Sequence, residues 1–148
     1  MLEAGAGVEE ICAYLGNILP RRQIYFGIYD LKYAAKSGRI PTAAAFLGTK
    51  LNLKPVMKIF DREITTAAKC RGEKNLVEKT AQLSRADMEP GTSYQLIYGC
   101  DESCLEEIRA AMREALGYEA DGVYQIGAAV AANAGPKVVG VAFTRKKD

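Results

Sequence analysis

Four cysteines, a single arginine at the mouth of an apolar ramp and no histidine are what this sequence offers for chemistry. The missing imidazoles remove every triad or general-base scheme that depends on histidine. Cys12, Cys70, Cys100 and Cys104 sit among residues that read as core, which in a reducing compartment means free thiols. Cys100 and Cys104 are spaced to meet one helical turn apart, but zinc needs four ligands and no second pair completes a site, so no metal is expected. Glu9-Glu10 and Glu106-Glu107 fall on the polar faces of helices and read as solvated surface. Gly5 and Gly7 precede a helix with no upstream strand, no third glycine and no following lysine, which excludes a phosphate-cradling loop. With no nucleophile beside a base, the chain is not expected to be an enzyme, and no cofactor is implied.

The segment SGRIPTAAAFLGTKLNLKPV, residues 37–56, is different. Arg39 follows a glycine able to end a helix and stands two residues before Pro41, so its backbone is hemmed in by residues of restricted geometry. Behind it run Ala43, Ala44, Ala45, Phe46 and Leu47. Such small side chains let another surface come close, either a packed helix or a bound apolar molecule. At the level of residue types, an exposed loop arginine and ordinary core packing explain the same pattern.

The elements that must position these residues follow from periodicity. Val8, Ile11, Leu15, Ile18 and Leu19 recur at helical spacing and stop at Pro20. QIYFGIY, residues 23–29, alternates as a strand, residues 31–38 form a short helix ended at Gly38, and TAAAFLGTKL after Pro41 a second. Leu53 to Phe60 and Glu63 to Cys70 read as a hairpin about Asp61-Arg62, with Thr65, Ala67, Lys69 and Arg71 on one face of its second strand. Leu76, Thr80 and Leu83 mark a helix, Asp87 to Ser93 a loop, and Tyr94 to Gly99 a strand. Leu105, Ile108, Met112 and Leu116 make one apolar stripe, capped by Asp101 or Ser103. Two last strands, roughly 122–131 and 137–144, are joined by the turn Asn133-Ala134-Gly135-Pro136. The fold class predicted is α/β: a mixed, largely antiparallel sheet of five to six strands flanked by helices, in a single domain over 1–148. At 148 residues, 49% hydrophobic and 26% charged, the chain suits one soluble core. A net charge of +2, spread along the chain, argues against nucleic acid. No apolar run approaches a membrane span and the N-terminus lacks a signal-peptide pattern, so a cytoplasmic location is expected.

The order of these segments is familiar. LKYAAKSGRIPTAAAFLGTKLNLKPVMKI, then a hairpin, KCRGEKN, and IGAAVAANAGPKVVGVAF resemble, from about Val8 to Phe143, the C-terminal domain of the DegV family of bacterial fatty-acid-binding proteins. That family includes the binding subunit of fatty acid kinase. The resemblance implies a long-chain fatty acid as ligand, an N-terminal domain absent from this chain, and a separate ATP-dependent kinase as partner. A transient membrane contact for lipid loading goes with that reading. It places Arg39 near the ligand carboxylate and Arg71, from KCRG, on the surface used by the kinase. Where the family usually carries a histidine that hydrogen-bonds the carboxylate, this sequence has Asn133, which donates a hydrogen bond but carries no charge, and Lys137 replaces the glycine after the proline. A cation at the rim and a small-sided slot suit a fatty acid, since each buried methylene contributes about 0.8 kcal/mol while a buried carboxylate needs a partner. Ala44, Phe46, Leu47 and Leu51 are the residues expected to line the slot. The alternative, motivated by Asn133 and Lys137, is a protein-interaction or oligomerisation domain that keeps the fold without the ligand.

Overall fold

The computed structural model describes residues 5–38 and 53–147. Among them a six-stranded sheet is ordered β3-β2-β1-β6-β4-β5. Its strands are β1 (Arg22–Ile28), β2 (Leu53–Phe60), β3 (Glu63–Arg71), β4 (Tyr94–Tyr98), β5 (Gly122–Gln125) and β6 (Val138–Thr144). Every neighbouring pair is antiparallel except β4 and β5, which are parallel. Five helices accompany it among the described residues: α1 (Val8–Ile18), α2 (Leu31–Ser37), α3 (Glu73–Asp87), α4 (Leu105–Leu116) and α5 (Ala128–Ala134). This is the mixed, largely antiparallel α/β architecture expected.

Alternation along the central strands builds two cores. Tyr25 of β1, Leu96 of β4 and Val139, Val141 and Phe143 of β6 face one way and pack against Leu76 and Val77 of α3 and Ile108 and Met112 of α4. Phe26, Ile28, Met57 and Val138 face the other way and pack against Leu31 and Ala34 of α2 and Ala134 of α5. Burying one side chain of the size of Leu76 or Ile108 contributes about 1.5–3 kcal/mol. Gly27 permits the close seat of α3, because a Cβ there would lie 2.7 Å from the Leu76 side chain.

Local signals account for the boundaries. Asp30 caps α2 by accepting from the Lys32 amide at 2.9 Å, and Gly38 ends that helix in the left-handed region at φ 67°. Asp101 accepts from the Ser103 amide at 2.9 Å and starts the 3-10 turn Glu102–Cys104 that leads into α4. The β2-β3 turn holds both Asp61 (φ 49°) and Arg62 (φ 64°) in the left-handed region, where glycine or asparagine is usual. Such a conformation costs an ordinary residue about 1 kcal/mol or more.

Three expectations are corrected. The strand expected over 122–131 ends at Gln125, and Ala128–Ala134 is a helix. AAVAANA has the strongest intrinsic helix former at five of seven positions, starts after Gly127 in an extended conformation, and is ended by Gly135 at φ 96°. Asn133 and Ala134 therefore belong to the last turn of α5, and the connection to β6 begins at Gly135. Of the four cysteines, Cys70 and Cys104 are buried, but Cys12 and Cys100 are exposed: α1 buries none of its residues, and Cys100 lies in the link after β4.

Candidate functional site

The sheet has two unlike ends. At the end formed by Ile28, Leu53, Arg71, Tyr98 and Val138, which we call the upper end, the connection from α5 to β6 is pinned to the connection after β4. The Cys100 and Asp101 amides both donate to the Pro136 carbonyl, at 2.7 and 3.2 Å, and the Gly99 amide donates to the Val138 carbonyl at 2.9 Å. Close approach is possible because residue 99 is glycine: a Cβ there would lie 2.1 Å from the Pro136 oxygen. Asn133 is half-buried just before this turn, and its amide donates to the Ala129 carbonyl at 2.5 Å.

Beside the turn lies a charged cluster centred on Tyr29. Lys54, only 8% exposed, donates to the Tyr29 carbonyl at 2.8 Å and stands 3.6 Å from the Glu73 carboxylate. Lys137 donates to the other oxygen of Glu73 at 2.9 Å. Both ammonium groups lie over the Tyr29 ring, Lys54 at 5.6 Å and Lys137 at 4.7 Å from its centroid. The Lys137 hydrogen bond, opposed by partial burial and aided by both ammonium charges, holds the Glu73 carboxyl below the usual range. The same hydrogen bond raises Lys137 against the opposing pull of burial. The cluster keeps one carboxylate and two cations charged together and ties the start of α3 to the segment carrying Asn133. Cys104 is buried beneath, its thiol pushed up by burial, so it is not a ready nucleophile. Among the described residues no group of three or more cysteine, aspartate or glutamate side chains is placed to hold a metal ion.

At the lower end, marked by Arg22, Phe60, Tyr94 and Thr144, a cleft of about 990 Å³ opens on the sheet face that α2 and α5 cover higher up. Its lining includes Ile24, Ile59 and Ala142 from the strands and Tyr14, Ile18 and Leu19 from α1 and the turn that follows it. Exposed Arg22, Asp61 and Arg62 line it too. A second, smaller groove of about 580 Å³ runs between β3 and α3, lined by Lys69, Arg71, Lys79 and Glu78.

Of the residues expected at the site, Arg39, Ala44, Phe46, Leu47 and Leu51 lie outside the described residues. Asn133 and Arg71 are both at the upper end, Asn133 half-buried in α5 and Arg71 exposed as the last residue of β3. The bond between Lys137 and Glu73 joins their two segments. Sequence reasoning missed Lys54. The signal was present, since Lys54 shares the alternation parity of Val56 in LKPV and so had to point into the core unless paired.

Residues 1–146 match the family described as "Uncharacterised protein, DegV family". A DegV domain-containing protein of Deinococcus radiodurans is 30% identical over 146 residues, which cover 97% of this chain and 52% of that protein. A DegV family protein of Thermus thermophilus, described by its fatty acid binding, is 30% identical and superimposes with a TM-score of 0.71 over 97% of this chain and 52% of its own. The fold is also that of a stearic acid-binding protein from Eubacterium ventriosum, with a TM-score of 0.81 at 24% identity over 99% of this chain and 52% of that one. The chain spans about half the length of the curated relatives it matches. The helix expected over TAAAFLGTKL lies outside the described residues. With a family match running from the first residue to the last strand, and the mixed six-stranded sheet in place, this chain belongs to the DegV family.

Proposed function

We propose that this chain binds a long-chain fatty acid and, without catalysis of its own, presents the carboxylate to a separate ATP-dependent kinase for acyl-phosphate formation. The observation that carries the reading is the likeness to the Thermus thermophilus protein, which is described by its fatty acid binding and shares 30% of its residues with this chain. The carboxylate lies at the upper end, with Arg39 and Asn133 as its partners, and Ala44, Phe46, Leu47 and Leu51 line the acyl slot. Arg71, exposed beside the β3-α3 groove, belongs to the kinase surface. The reading includes a second, N-terminal domain that completes the ligand cleft in the whole protein; what supports it is that this chain covers 52% of a Deinococcus radiodurans relative. A cytoplasmic location, with transient contact with a membrane for loading, suits a carrier of this kind. No helix among the described residues is long and apolar enough to cross a membrane.

One observation favours a second reading. The Asn133 amide already donates to Ala129, as it would in a domain that keeps the fold for interaction or oligomerisation alone. The test is solvent extraction of the purified protein and mass spectrometry of what it carried. Stoichiometric long-chain fatty acid in the parent, reduced in Arg39→Ala and retained in Asn133→His, supports the lipid reading. A lipid-free, well-folded dimer supports the alternative.

A further inference from the structure

We propose that Lys137 is a latent acylation site, a nucleophile toward an acyl phosphate that the carboxylate of Glu73 holds closed. The inference rests on the proposed function, in which an acyl phosphate forms at the upper end, and concerns what that product does to the chain around it.

An acyl phosphate is a mixed anhydride. A neutral amine attacks its acyl carbon, the bond from that carbon to the phosphate oxygen breaks, and inorganic phosphate leaves with the electron pair. The proton shed by the amine passes to the phosphate, and an amide remains on the lysine. An ammonium group has no lone pair and cannot begin the reaction. A chain that presents such a product therefore keeps its neighbouring lysines protonated or is modified by it.

Lys137 follows Pro136 in the connection from α5, which carries Asn133, to β6. Its side chain is 30% exposed, so a reagent in solution reaches it. Among the described residues its one hydrogen bond is the 2.9 Å bond it donates to Glu73. Lys54 is the contrast: its side chain is only 10% exposed, and it donates to the Tyr29 carbonyl as well. Both ammonium groups share the Tyr29 ring, Lys137 at 4.7 Å and Lys54 at 5.6 Å from its centroid. Without the Glu73 carboxylate the two cations face each other uncompensated, and like charges favour loss of a proton. Lys137, the more exposed, then gives its proton to solvent. Asp101 and the Cys104 thiol also act on Lys137, each less than the Glu73 hydrogen bond does. That bond thus decides whether the Lys137 nitrogen is a counter-charge or a nucleophile.

The test is peptide mapping by mass spectrometry of the 148-residue chain after exposure to acetyl phosphate at about pH 8, with exposed Lys32 of α2 as internal reference. Acetyl phosphate needs no acyl slot, so this arm is independent of the lipid reading. In the parent, Lys137 should be acetylated less than Lys32, and the difference should close above about pH 10.4, where lysines lose their proton. Glu73→Gln should raise the ratio of Lys137 to Lys32 about tenfold, the gain in amine for one pKa unit lost, and Glu73→Asp should restore protection. A ratio moved neither by Glu73→Gln nor by pH overturns the gate. In a second arm, hexadecanoyl phosphate is added to the Glu73→Gln chain, and the hexadecanoyl amide should collect on Lys137 ahead of the other lysines. Even labelling of the exposed lysines overturns the site. Fatty acid retained by the parent is scored separately by solvent extraction, which tells failure of the gate from failure of the lipid reading.

Discussion

Replacing Gly99 by alanine tests the reasoning about the upper end most directly. The added Cβ would lie 2.1 Å from the Pro136 oxygen, 2.9 Å from its carbonyl carbon and 3.3 Å from the Val138 nitrogen. All three are backbone atoms, so no side-chain rotation relieves the clash. The ordinary carbon-oxygen approach is about 3.3 Å, and the carbonyl must therefore withdraw by roughly 1.2 Å. That movement breaks or stretches the bonds that the Cys100 and Asp101 amides make to the same oxygen. Two weakened hydrogen bonds at about 0.5–1.5 kcal/mol each, with overpacking at about 1–3 kcal/mol, give a loss of about 2–6 kcal/mol. For a domain of this size that lowers Tm by about 4–24 °C. The assay is urea and thermal denaturation of Gly99→Ala beside Gly7→Ala, whose added methyl meets nothing within 4 Å. Because the displaced turn adjoins Asn133, retained fatty acid should fall as well. A Gly99→Ala midpoint matching that of the Gly7→Ala control would refute the account of how the turn is held.

A second expectation concerns acid. Burial alone would raise the Asp87 carboxyl, but hydrogen bonds from Gln23 at 2.8 Å and the Tyr25 hydroxyl at 2.7 Å, with Arg145 and Lys146 nearby, hold it below its usual value. A depressed carboxyl stabilises the fold above its unfolded pKa of about 3.9, and that contribution is lost as pH falls through the lower folded value. Asp87→Asn should therefore weaken the fold at neutral pH and show a smaller fall in urea midpoint between about pH 5 and pH 3 than the parent; parallel curves would contradict it. Gly27→Ala should lift α3 from the sheet, since its methyl meets Leu76 at 2.7 Å, and cost about 1–3 kcal/mol. The double change Gly27→Ala, Leu76→Ala tests this, because the smaller partner should recover part of the first loss in denaturation midpoints, and purely additive effects would argue against the contact.

How much of this was legible in the sequence differs from element to element. The two faces of β1 and β6 can be read from QIYFGIY and VVGVAFT without coordinates, whereas in β3 an extra residue shifts the register, so that Thr65 lies on the face opposite Lys69 and Arg71 instead of sharing one face with them as expected. The hairpin was legible in position but not in strain, because neither residue of Asp61-Arg62 advertises a left-handed backbone. GVYQIGAAVAANAG misled because its apolar and small residues satisfy both a strand and a helix, and length alone did not arbitrate. The upper cluster was hidden for another reason. Lys54, Glu73 and Lys137 are distant in sequence, and only the pairing of β1 with β2 and β6, with α3 following β3 beside β2, brings them together at Tyr29. The lower cleft likewise depends on which strand positions no helix covers, which periodicity cannot report.

The irregularity in β3 carries a consequence for behaviour at high concentration. Opposite Val56 and Met57 stand Ala68 and Thr66, leaving Ala67 as an extra residue that interrupts the ladder. β3 ends the row of strands among the described residues, and its nine residues would otherwise offer neighbouring molecules a long template for stacking. The kink, together with the positive side chains of Lys69 and Arg71, spoils that template. Deleting Ala67 would straighten the margin of the sheet and invite fibril-like stacking, even in a molecule whose interior had not changed.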